Sequence, residues 1–76
     1  MVYKYSKEVN ERFVEAYKYQ NVDMKKALEG YLQIIEDFKD DEGALSKAYY
    51  YADTIYNMLS EEDKAEEFCV KSIECG

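Results

Sequence analysis

Shifted along itself by 38 or 39 residues, the chain meets its own pattern: Tyr17 falls on Tyr56, Ala27 on Ala65, Ile35 on Ile73, Phe13 on Ala52 and Ala16 on Ile55. A period of that length marks stacked helical hairpins, in which each unit buries its apolar face only against the next. Nothing in the sequence interrupts helices, because there is no proline and there are only 3 glycines. The expected fold is therefore all-α, with four antiparallel helices forming two stacked hairpins, one over about 6–39 and the other over about 43–75. A simple four-helix bundle is the alternative arrangement of the same elements.

The spacing of apolar residues places each helix. The first runs from Ser6, a good N-cap, to Tyr19 or Gln20, with Val9, Phe13, Ala16 and Tyr17 on one stripe and Glu8, Glu11, Glu15 and Lys18 on the wet side. The second follows the capping residue Asp23 and carries Met24, Ala27, Leu28, Tyr31, Ile35 and Phe38, widened by Leu32 and Ile34. A stripe that wide needs neighbours on two sides, so this helix is expected to be the most buried. Gly30 in its middle costs about 1 kcal/mol relative to alanine, which points either to close approach of another helix, the reading its neighbours in the repeat favour, or to tolerance on an exposed face. After a glycine-ended turn over 39–43, the third helix reads Leu45, Ala48, Tyr49, Ala52, Ile55, Tyr56 and Leu59. Ser60 with Glu61, Glu62 and Asp63 has the form of a capping box for the fourth, whose buried side is read as Ala65, Phe68, Cys69, Ser72 and Ile73.

Composition excludes several classes of function. A chain of 76 residues should bury roughly 60% of its unfolded surface, leaving a thin core. Its net charge of −7 repels nucleic acid and anionic lipid, so neither is expected as a partner. No apolar run approaches the roughly 20 residues of a membrane helix, and no leader pattern opens the chain, which reads as cytoplasmic. With no histidine and 2 cysteines, Cys69 and Cys75, the usual tetrahedral zinc set cannot form within one chain, and no cofactor is expected. The two cysteines are about 600° apart on a helix, which sets them on different faces and argues against a structural disulfide.

The run from Ala16-Tyr17 through Asp23-Met24-Lys25-Lys26-Ala27 to Tyr31 resembles the signature of tetratricopeptide repeats with one residue added in the turn. The run from Ile55-Tyr56 through Asp63-Lys64-Ala65 to Cys69 resembles it again. Val14 and Asp53 stand where that family places a small residue, and the closing proline is missing from both units. The resemblance implies a groove lined by the first helix of each hairpin. Carried over position by position, the lining would be Glu8, Glu11, Arg12, Glu15, Lys18 and Tyr19, then Lys47, Tyr50, Tyr51, Thr54, Asn57 and Met58. The lysine and asparagine clamp that some members use for carboxylate tails is broken here by glutamates and tyrosines.

Of the 9 tyrosines, Tyr17, Tyr31, Tyr49 and Tyr56 fall on apolar stripes and read as core, while Tyr19, Tyr50 and Tyr51 fall beside them. Tyr3 and Tyr5 precede the first helix. Exposed tyrosines offer large contact area at small entropic cost. The expected function is a non-catalytic adaptor that binds a basic or mixed-polarity protein segment through Glu11, Glu15, Tyr19, Lys47, Tyr50, Tyr51, Thr54 and Asn57. With only two units, the chain is expected to complete itself by forming a homodimer or by docking on a larger protein. A second reading takes the acidic runs 37–42 and 61–67 as a mimic of nucleic-acid phosphates that would inhibit a nuclease or defence complex.

Overall fold

A computed structural model of the chain describes residues 7–75, with the side chain of Cys75 left out. The expected cap Ser6, together with Tyr3, Tyr5 and Gly76, lies outside the described residues. Four helices account for nearly all of the rest: α1 (Lys7–Tyr19), α2 (Met24–Asp37), α3 (Glu42–Met58) and α4 (Glu62–Cys75). None of the described residues is in a strand.

Side-chain caps set two of the helix starts. The Asp23 carboxylate accepts from the backbone N–H of Lys26 at 3.2 Å, and the Asp41 carboxylate from that of Ala44 at 3.0 Å. The second cap moves Gly43 out of the turn in which the sequence set it. It is the second residue of α3 and is buried, with no positive φ.

Ser60 also differs from its expected role. Its φ of 61° is the left-handed region, and it ends α3 instead of capping α4. The N–H of Ser60 donates to the Asn57 carbonyl at 3.1 Å and that of Glu61 to the Tyr56 carbonyl at 2.8 Å. That pair of bonds is a Schellman motif, which satisfies carbonyls that the helix end leaves open.

Residues that ascend α1 meet residues that descend α2: Arg12 bonds Asp37, and Ala16 lies against Gly30. The same holds for α3 and α4 through the pairs Ser46 with Ser72, Tyr49 with Phe68, and Tyr56 with Lys64. Both hairpins are antiparallel. Each helix packs extensively on the next in sequence, α3 on α4 most of all. A closed bundle would also seat α4 on α1. Here the contacts form an open chain, and the molecule is a flattened body of 35 × 26 × 19 Å.

Among the described residues, six of the twelve in the core are alanine: Ala16, Ala27, Ala44, Ala48, Ala52 and Ala65. Small side chains in that proportion bring helix backbones close, and Val9, Tyr31, Ile34 and Ile55 fill what volume remains. The expectation for Gly30 holds. A Cβ built there would stand 2.8 Å from the Ala16 Cβ.

Burial differs from the sequence reading in three places. The most buried helix is α3, which contributes six buried residues against three from α2: both have a neighbour on each side, but the contact of α3 with α4 is the most extensive in the fold. Tyr17 is 57% exposed, although its repeat partner Tyr56 is 6% exposed. Cys69 and Ile73 of α4 face outward, since α4 rests on α3 through Ala65, Phe68 and Ser72. There the Ser46 hydroxyl donates to the Ser72 carbonyl at 3.1 Å and the Ser72 hydroxyl returns a bond to the Ser46 carbonyl at 3.0 Å. The two serines clasp α3 to α4.

Candidate functional site: an aromatic groove between the first and third helices

A groove of ≈ 490 Å³ opens between α1 and α3. Its floor is a cluster of three rings, one from each of the first three helices. Tyr31 stacks on Tyr51 at 5.2 Å between centroids and 16° between planes, and Phe13 lies 6.1 Å from Tyr31 and 5.9 Å from Tyr51. Asn10, Val14, Tyr17 and Lys18 form the α1 wall, Gln20 closes one edge, and Lys47, Tyr50 and Thr54 form the α3 wall.

The polar groups of this cluster are held in place. The Tyr31 hydroxyl donates to Gln20 Oε1 at 3.0 Å, and the Thr54 hydroxyl donates to the Tyr50 carbonyl at 3.1 Å. Lys47 Nζ stands 4.9 Å above the Phe13 ring and 5.8 Å from that of Tyr51. Such cation–π contacts fix a flexible ammonium at the rim. Lys18, the other cation of the lining, reaches Glu15 only loosely at 3.9 Å. The lining contains two lysines and no carboxylate, in a chain whose net charge is −7.

Five residues expected at the groove line it: Lys18, Lys47, Tyr50, Tyr51 and Thr54. Glu11, Glu15, Tyr19 and Asn57 do not. Glu15 and Tyr19 border a separate depression between α1 and α2, beside Arg12, Lys26 and Gly30, where Lys26 Nζ covers the Tyr19 ring at 4.4 Å. Glu11 is exposed and lines neither hollow. Asn57 is exposed on α3, its amide donating to Asp53 Oδ1 at 3.2 Å. The physical reason is the rotation of α1. Ala16 must face Gly30, and Arg12 must reach Asp37 at 2.7 Å, so the side of α1 that carries residues 12, 15 and 19 turns toward α2. The groove instead receives Asn10, Phe13, Val14 and Tyr17. Val14 gave a signal for this, as an apolar residue beside the stripe of Val9, Phe13, Ala16 and Tyr17.

Among the described residues, two ionisable groups are clearly shifted. Burial, with smaller effects from Tyr51 and Tyr17, pushes the Tyr31 hydroxyl up to about 12. Hydrogen bonds from Arg12 first and then Gln33 hold the Asp37 carboxyl below its ordinary range. Both shifts lead away from neutrality, the opposite of what general acid and base chemistry uses. Among the described residues, no three His, Cys, Asp or Glu side chains gather closely enough to hold a metal ion, and no helix is long and apolar enough to cross a membrane. No protein-family model matches the chain, and neither the curated proteins nor the solved structures include a significant match to it.

Proposed function

We propose that the chain is a non-catalytic protein-interaction module of two tetratricopeptide-like hairpins, and that the groove between α1 and α3 receives a partner segment. One observation carries this reading. Tyr17 and Tyr50, 57% and 58% exposed on opposite walls, flank a floor of three packed rings. An exposed aromatic pair over a rigid apolar floor is the composition of a binding hot spot. Its rings are already ordered by their neighbours, so little entropy is lost on binding.

The lining favours a segment of mixed polarity, with apolar side chains for the ring floor and a carboxylate for Lys47. A purely basic segment has no acidic partner inside the groove, because Glu11 and Glu15 lie outside it. The phosphate-mimic reading draws on exposed acids at the start of α4. In the other acidic run, however, Asp37 is bound by Arg12 and Asp41 caps α3, while Lys39 within the run pairs with Glu36 just before it at 3.0 Å. These carboxylates have work within the fold.

The test is affinity capture from the source cell with wild type, Tyr50→Ala and Lys47→Ala side by side, each checked by circular dichroism. The proposal expects a captured protein that both variants lose while remaining helical. Capture that survives both variants and dissolves steeply with salt would favour the mimic instead.

A further inference from the structure

The two hairpins are finished differently. The helices α2 and α4 have 14 residues each and begin at Met24 and Glu62, an offset of 38 (62 − 24), so Tyr31 answers to Cys69, Leu32 to Val70 and Ile35 to Ile73. On α2 this face is covered: Tyr31 is 0% exposed between Phe13 of α1 and Tyr51 of α3, and Ile35 packs against the core. On α4 the same face is open, with Cys69 exposed, Val70 50% exposed and Ile73 73% exposed. No described helix stands to α4 as α3 stands to α2. The internal repeat therefore supplies the shape of what fits there, namely another helix laid along α4.

Charge selects among the helices that could fill the place. Val70 lies in a shallow depression rimmed by Lys71 and by four carboxylates, those of Asp63, Glu66, Glu67 and Glu74. Among the described residues, Glu67 is the one of these four carboxylates that is paired, with Lys71 at 3.7 Å. A second copy that offered its α1 would bring the exposed carboxylates of Glu8, Glu11 and Glu15 against this rim, and like charges so placed disfavour the contact. We propose that this face of α4 docks an amphipathic helix of a partner protein, its apolar stripe covering Cys69, Val70 and Ile73 and its flanking lysines or arginines meeting Glu66 and Glu74. The surface is separate from the groove, and the proposal stands or falls independently of the groove's role.

The experiment uses the whole chain labelled with ¹⁵N and two synthetic helical peptides. Both carry leucines at i, i+3, i+4 and i+7; one has lysines flanking that stripe and the other has glutamates. The lysine peptide is expected to move the amide signals of Cys69, Val70 and Ile73, with the glutamate peptide binding far more weakly. Ile73→Ser, at an exposed position whose change leaves the core intact, is expected to weaken the lysine peptide about tenfold or more. Glu66→Gln with Glu74→Gln is expected to flatten the salt dependence of binding. Equal binding of the two peptides, signals that move only around Tyr17 and Tyr50, or no movement at α4 would overturn the proposal. So would a dimer that Ile73→Ser dissociates, since the occupant would then be a second copy.

Discussion

Replacing Gly30 with alanine sets two known effects against each other. In an isolated helix the change is favourable by about 1 kcal/mol, because glycine loses the most backbone freedom on folding. In this fold the new methyl would stand 2.8 Å from the Ala16 Cβ, where carbon atoms rest about 3.5–4.0 Å apart. Ala16 has no rotamer to change, so the backbones of α1 and α2 must separate by roughly an ångström, and overpacking of that kind costs about 1–3 kcal/mol. The net expectation is a loss of about 1 kcal/mol, or about 4–8 °C in melting temperature for a domain of this size. Ala16→Gly should cost about 2 kcal/mol, half from helix propensity and half from a buried methyl. The double variant moves the methyl from one helix to the other and should come within about 0.5 kcal/mol of wild type, a coupling of about 2.5–3.5 kcal/mol. Urea denaturation followed by circular dichroism on all four proteins measures the cycle. A Gly30→Ala variant more stable than wild type, with additive behaviour in the double variant, would refute the close approach of α1 and α2.

Three further outcomes follow from particular residues. Ser60→Gly relieves a left-handed backbone at an exposed site and should stabilise the fold by about 0.5–1 kcal/mol in the same urea assay, less than the full strain because glycine also loosens the unfolded chain. Tyr31 has a folded pKa raised from 10.0 to about 12, so its contribution is complete below pH 10 and is lost as pH rises toward 12. Wild type should lose on the order of 2 kcal/mol over that interval beyond any loss in Tyr31→Phe, as read from urea midpoints at several pH values. Ser46→Ala and Ser72→Ala each remove one arm of the α3 to α4 clasp and should cost about 1 kcal/mol apiece, with the thermal midpoint as the readout.

Helices were legible in the sequence because the absence of proline and the three-and-four spacing are local properties of the chain. Asp23 could be read as a cap and Gly30 as a contact point for the same reason, since each is costly or useful to one helix by itself. Periodicity names an apolar face, but not the neighbour that covers it. Tyr17 and Tyr56 match in the repeat, yet one lines an open groove and the other is sealed by α4, because α1 and α3 have different neighbours. Cys69 and Ile73 were read as buried on the same ground and are exposed because α4 rests on α3 alone. Ser60 suited either a cap or a helix end, and the sign of one backbone angle decided between them. For the groove, the rotation of α1 was set by the Ala16 and Gly30 contact with α2. That pairing turned Glu15 and Tyr19 toward α2 and brought Val14 and Tyr17 into the groove.

The most direct test of the groove's role is an amide-shift map of the ¹⁵N-labelled chain on addition of the protein captured from its source cell. The account predicts movement centred on Phe13, Tyr17, Lys47, Tyr50, Tyr51 and Thr54, lost in Tyr50→Ala. Movement centred on residues 61–67, or around Glu11, Glu15 and Tyr19, with the groove residues unmoved, would contradict it.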